Sequence, residues 1–166
     1  NDLFIGEIDN SNVITSGNSR YTIVDGPTWA EAEANAVALG GHLVSINSQE
    51  ENDLVLDILD DSDNSVIWIG YTDNTGGLDG KQWEWIDGST SDYENWNQNT
   101  VHAPGNPEPN DDSESPIYAQ MYGTKYDVLQ DGSQDPGTWN DLHNDDLYWG
   151  ELNQGLAEIP TAQLEL

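Results

Sequence analysis

Two short segments of this chain carry side-chain oxygens in a pattern that suits a hard cation. Glu108-Pro109-Asn110 offers a carboxylate and an amide two residues apart around a proline, and Asn140-Asp141 offers a second amide and carboxylate from a distant strand. Calcium takes about six to eight oxygen ligands in a flexible shell, and carboxylates and amide carbonyls both serve. Two segments far apart in sequence can close a shell that no single short peptide could fill, whereas Glu108-Pro109-Asn110 taken alone reads more readily as an acidic surface turn. The composition leans the same way: 32 Asp and Glu face only Arg20, Lys81 and Lys125, a formal net charge of -29. Such a surface attracts cations and repels phosphate backbones and anionic headgroups, which argues against nucleic acid and membranes as partners. Most of these carboxylates serve solubility, because only a handful can be ligands at one site.

Other chemistries find little support. There is no cysteine, which removes disulfides, thiolate metal sites and cysteine nucleophiles together. No Gly-x-Ser-x-Gly elbow or His-Glu-x-x-His zinc helix occurs. Lys81 follows Gly80 without the rest of a phosphate loop. An EF-hand starting at Asp61-Ser62-Asp63 fails, since Val66 stands where its glycine is needed and Thr72 where its closing glutamate is needed. With so many acids, some pair always meets a glycosidase separation by chance, so that criterion decides nothing. The reading is a binding domain and not an enzyme.

The elements that must position these residues fit one α+β domain, since single cores commonly serve ~100–200 residues. Residues 1–19 read as a lead-in with one strand at Leu3–Ile8, residues 20–160 as the domain, and residues 161–166 as a tail. A helix from Thr28 to Leu39 has Thr28 and Glu31 spaced as a capping box and ends at Gly40-Gly41. Its Trp29, Ala32, Ala36 and Leu39 share one face. A second helix starts at Ser48, with Glu51 three residues on, and turns Leu54, Val55, Ile58 and Leu59 inward. His42–Ile46, Val66–Tyr71, Gln82–Ile86, Ile117–Tyr122 and Gly155–Ile159 read as strands. From Asp87 to Ser115 no regular pattern appears, and a loop that long in a compact domain is usually either functional or disordered. Val66–Tyr71, among the longest apolar runs, is far too short to cross a bilayer. A chain opening on Asn1 reads as an excised domain or mature fragment of a larger protein.

Several of these segments match a known family in order. Gly40-Gly41-His42-Leu43-Val44-Ser45-Ile46-Asn47-Ser48 with Glu50-Glu51-Asn52 resembles the segment joining the two helices of C-type lectin domains. Trp68-Ile69-Gly70-Tyr71 resembles that fold's core strand, and Trp83-Glu84-Trp85-Ile86-Asp87-Gly88 its Trp-x-Trp-x-Asp-Gly turn. Tyr93-Glu94-Asn95-Trp96, Glu108-Pro109-Asn110 and Trp139-Asn140-Asp141 follow. One tripeptide is weak evidence; six in order, covering roughly Tyr21 to Pro160, are specific. The chain departs from the pattern by lacking cysteine, as expected of a bacterial-type member. Ala36 and Ala157 stand where one disulfide pair is expected, Asn144 where a second-pair cysteine is, and Asn97–Pro107 is longer than usual.

The resemblance implies a C-type lectin-like fold with two helices, short antiparallel sheets and a long calcium- and ligand-binding loop. It implies a principal calcium site at Glu108, Asn110, Asn140 and Asp141, with a cis Glu108-Pro109 bond. Glu114 is the candidate fifth ligand, although strict alignment on Tyr118–Met121 puts Pro116, without a side-chain oxygen, at that position. Asp73 and Asp111 match an auxiliary calcium site whose other acid falls near Gly77. The same four principal residues would bind carbohydrate, since two sugar hydroxyls can complete the calcium shell while the acid accepts and the amide donates. The Glu-Pro-Asn order goes with mannose-, fucose- and glucose-type sugars in the family. The implied protein is secreted or cell-surface, an adhesin module with glycans on cell surfaces or glycoproteins as partners. The rival is a protein-, peptide- or ice-binding module on the same scaffold. Trp68, Trp83 and Trp85 are expected in the core, Trp96 and Trp139 as loop supports, His42 at the core edge and His102 in a solvated loop.

Overall fold

The computed structural model describes residues 13–75, 82–98, 107–110, 116–126, 135–144 and 152–161. In chain order they form β1 (Ile14–Ser16), β2 (Ser19–Asp25), α1 (Trp29–Ala38), β3 (His42–Leu43), α2 (Gln49–Asp61), β4 (Val66–Asp73), β5 (Glu84–Trp85), β6 (Ile117–Tyr122), β7 (Trp139–His143) and β8 (Gln154–Pro160). Both helices start where a hydroxyl caps them. Thr28 Oγ1 accepts the Glu31 N–H at 3.2 Å, and Ser48 Oγ accepts the Glu51 N–H at 3.1 Å. α1 stops at Gly40, whose φ of 93° is a left-handed position. There the Gly40 N–H reaches the Val37 carbonyl at 2.9 Å and the Gly41 N–H the Ala36 carbonyl at 3.1 Å, a Schellman closure.

The strands form one mixed sheet in the order β1-β2-β8-β4-β6-β7, with β3 added on β8 and β5 on β4. β2 and β8 pair antiparallel from Ser19↔Pro160 to Asp25↔Gln154, which sets the two ends of the domain side by side. The expected short antiparallel sheets are thus joined into one, because β8 enters beside β4 in the same direction and meets it at Trp68↔Gly155. The hairpin β1-β2 crosses residues read as lead-in, and Leu3–Ile8 lies outside the described residues.

β4 is buried at all eight positions, which explains its continuous apolar run. Its side chains alternate between two cores. Ile67, Ile69 and Tyr71 pack with Val55 and Leu59 of α2. Val66 and Trp68 pack with Trp29, Ala32 and Ala36 of α1. Ala36 and Ala157 are both fully buried in this second core, so apolar packing occupies the place of the expected disulfide. Asn144 Oδ1 instead accepts the Ala30 N–H at 2.8 Å in the first turn of α1.

The predicted strand His42–Ile46 shortens to His42–Leu43, because from Val44 the chain turns to bridge β8 and β4 instead of continuing the ladder. Val44 N–H donates to Leu156 O at 2.8 Å, and Val44 O accepts the Gly70 N–H at 2.8 Å. That close approach requires Gly70: a Cβ there would lie 2.4 Å from the Leu43 carbonyl oxygen. Gly70 O also accepts the Ile86 N–H at 2.8 Å, and Trp29 Nε1 donates to Ile69 O at 2.8 Å. One small residue therefore lets β4, β5 and the inter-helix segment meet.

Candidate metal and ligand site

β7 brings Asn140 and Asp141 into the site, and both are buried. One edge of β7 pairs with β6, Gln120↔Asn140 and Ala119↔Asp141 among the contacts. Its other edge takes an irregular segment: Trp139 N–H donates to Asn95 O, and Asn97 N–H donates to Trp139 O, each at 2.9 Å. Glu108 N–H then donates to Asn97 O at 3.0 Å, and Gln98 Nε2 donates to Glu108 O at 3.1 Å. Main-chain bonds thus carry Glu108 to the β7 edge without a regular strand. The Glu108-Pro109 bond is cis.

The four oxygen-bearing residues converge. Asn110 N–H donates to Asp141 Oδ1 at 3.1 Å. With its amide nitrogen turned toward Glu108, Asn140 donates to Oε1 at 2.8 Å and to Oε2 at 3.3 Å. Burial pushes the Glu108 carboxyl up to about 8, reinforced by the hydrogen bond and charge of Asp141 and opposed by bonds from Asn110. Two carboxylates therefore face each other in a partly dry place. Of the three basic residues, Arg20 lies on β2 and Lys125 Nζ bonds the Ser62 carbonyl, so neither neutralises them; Lys81 lies outside the described residues.

Two carboxylates and two amides from separate segments make an all-oxygen donor set, which fits calcium or another hard cation. Among the described residues no group of three or more His, Cys, Asp or Glu gathers as a metal cluster. Glu114 and Asp111, the remaining candidates, lie outside the described residues, as does His102. Asp73 is fully buried at the end of β4 and has protein donors of its own. Its Oδ1 accepts from Thr75 N–H at 2.8 Å and Thr75 Oγ1 at 2.6 Å, and its Oδ2 accepts from Gln82 N–H at 3.1 Å.

Aromatic packing holds the site from below. Trp139 is fully buried and lies edge-on to Tyr71, Trp85, Tyr93 and Trp96. Its Nε1 donates to Asn52 Oδ1 at 2.9 Å, and Asn52 Nδ2 donates to Gly137 O at 2.9 Å. Asn52, which the sequence places only in a motif and without a role, thus supports the site. The signal was present: Asn52, Val55 and Leu59 share the buried face of α2, and an amide on such a stripe needs buried partners.

Comparison with known proteins gives a consistent picture. The family model "Lectin C-type domain" matches residues 25–148. A lectin of Pleurodeles waltl is 30% identical over 136 residues, covering 79% of this chain and 67% of that protein. A type-2 ice-structuring protein of Hemitripterus americanus is 39% identical over 69 residues, covering 42% of this chain and only 38% of that protein. The crystal structure of the cow C-type carbohydrate-recognition domain of CD23, obtained in the presence of GlcNAc2Man3 oligosaccharide, superposes with a TM-score of 0.61 at 27% identity. It covers 89% of this chain and 92% of that one. No helix among the described residues is long and apolar enough to cross a membrane.

Proposed function

The chain belongs to the C-type lectin domain family, and on that premise we propose that it is a calcium-dependent carbohydrate-binding module for mannose-, fucose- or glucose-type sugars. One observation carries this reading: Glu108 and Asn110 meet Asn140 and Asp141, acid against acid, with no basic side chain described between them. Calcium would be held by these four residues, with Glu114 as a fifth ligand and Asp73 and Asp111 at an auxiliary site. Bound there, the ion offsets the two charges and offers coordination to a pair of sugar hydroxyls. The Glu108 carboxylate would accept and the Asn110 amide donate hydrogen bonds to those hydroxyls, and their order would read the geometry of the diol. In this reading the domain serves a larger secreted or cell-surface adhesin that meets glycans on cells or glycoproteins. Domains of this family are generally binding modules and not enzymes.

Similarity to an ice-structuring protein favours a second reading, a surface for ice or protein on the same scaffold. One experiment separates the two. Glu108→Gln with Asn110→Asp keeps one acid and one amide but reverses their order. Calorimetry in excess calcium should show calcium retained, mannose and fucose binding weakened, and galactose binding gained. Asp141→Ala should lose both calcium and sugar. If the double variant keeps calcium and an unaltered preference for mannose-type sugars, the diol is not read by this site. If the wild type binds calcium but no sugar, the second reading stands.

A further inference from the structure

Away from the four oxygen donors, a cleft of about 710 Å³ is lined by Tyr71, Trp83 and Trp85, by Glu84, Asp92 and Glu94, and by the turn Gly88–Ser91. Its size is within the range of small-molecule sites, ~300–1,000 Å³. It shares no residue with the Glu108 set. The aromatic residues form a stack, with Tyr71 5.3 Å from Trp83 at 29° and 4.2 Å from Trp85 at 26°. Trp83 is only part-buried, whereas Tyr71 and Trp85 sit deep.

The acids around this stack are exposed and largely uncommitted. Glu94 Oε1 accepts the Tyr71 hydroxyl at 2.8 Å, and no other hydrogen bond falls on the Glu84, Asp92 or Glu94 side chains among the described residues. Among those residues no Lys, Arg or His lines the cleft. The negative field reaches the aromatic wall: burial pushes the Tyr71 phenol upward, and the bond and charge of Glu94 and the charge of Asp92 push it further. Aromatic faces attract cations through their quadrupoles, most strongly Trp, and an adjoining carboxylate adds charge-assisted hydrogen bonds. Calcium would gain nothing from indole faces, whereas an alkylammonium uses both walls, its carbons against the rings and its N–H groups on the acids.

We propose that this cleft is a second binding site, independent of calcium, for a small organic ammonium ion. The alkyl part packs on Trp83, and the ammonium group donates to Asp92 and to the free oxygen of Glu94. Cadaverine and its neutral counterpart pentanediol test this on the whole chain at physiological salt, with calcium present and absent. Nuclear magnetic resonance reads the indole N–H signals. Cadaverine should bind saturably and move the Trp83 and Trp85 signals, with or without calcium, while pentanediol at equal concentration should not. Asp92→Asn with Glu94→Gln should weaken cadaverine about tenfold, and Trp83→Leu by a similar factor. The amide oxygen that Glu94→Gln introduces would still accept from the Tyr71 hydroxyl, so the fold should survive. Equal binding of the diol overturns the proposal. So does cadaverine affinity that neither variant changes, which would mean general attraction to an acidic surface. The location of the wild-type shifts tests the site even where a variant fails to fold.

Discussion

Glu33 and Glu108 are both carboxylates withdrawn from water, one at the base of the fold and one at its candidate site. Glu33 has a main-chain N–H of Leu43 on Oε1 at 3.1 Å and the His42 ring at 3.1 Å. Glu158, also at the base, accepts from Ser19 Oγ at 2.7 Å and from the Ser45 N–H at 3.2 Å. Glu108 instead lies against Asp141, a second acceptor, with amides supplying only part of the balance. Where a carboxylate holds the fold together, the chain brings donors to it. Around Glu108 it brings more oxygen, an arrangement that stabilises the protein only if something else supplies positive charge.

That contrast can be broken most sharply at Asp141. Asp141→Ala should lower calcium affinity by more than about a hundredfold, since even outer-shell partners of a metal are worth ~10–100-fold. Apo stability should fall only modestly, by about 1–2 kcal/mol, because the Asn110 N–H and the protonated Glu108 carboxyl lose an acceptor in a part-buried place. Calcium titration with parallel urea unfolding reads both. A large loss of apo stability with calcium affinity intact would reverse the assignment.

Asn52→Ala tests the support between the regions. It leaves the buried Trp139 Nε1 without its acceptor, so unfolding stability should drop by about 1–3 kcal/mol. Calcium affinity should fall roughly tenfold as Asn140 and Asp141 lose their fixed neighbour. Glu33→Ala should cost a comparable or smaller ~1–2 kcal/mol through the orphaned Leu43 N–H, with calcium affinity unchanged. Equal effects of both substitutions on calcium would show that the base and the site are not separable.

The smallest effect is on pH dependence. Without calcium, folded Glu108 keeps its proton up to about 8, against an ordinary value of 4.5. Between those values the folded chain binds a proton that the unfolded chain has released, so apo stability should fall as pH rises across that window. Glu33 and Glu51 are also raised, chiefly by burial, and act in the same direction. The difference between wild type and Glu108→Gln isolates the Glu108 share, which solvent screening of this part-exposed carboxyl cuts to a few degrees of melting temperature. Excess calcium should raise the melting temperature at neutral pH, and this gain should fade on acidification as the proton competes for the carboxylates. Identical melting curves with calcium and with chelator at neutral pH would remove the metal from the account.

What the sequence determined by itself were the features whose partners lie within a few residues. Thr28 and Ser48 as helix starts, Gly40-Gly41 as a helix end and the buried run of β4 all follow from local hydrogen bonds and from side-chain periodicity. The types of the site residues were equally legible, since Glu108, Asn110, Asn140 and Asp141 are oxygen donors in any fold. Their meeting was not. It depends on the ladder from Asn95 and Asn97 through β7 to Glu108, in which Asn110 finds a partner 31 residues away and Asn52 one 87 residues away. The parallel entry of β8 beside β4, the donors around Glu33 and the aromatic cleft under Asp92 are of the same kind. Contacts between distant segments form only once the whole sheet is assembled, because loop closure must be offset by packing elsewhere. Only the tertiary structure could decide that Glu108 should face another acid and Glu33 a donor.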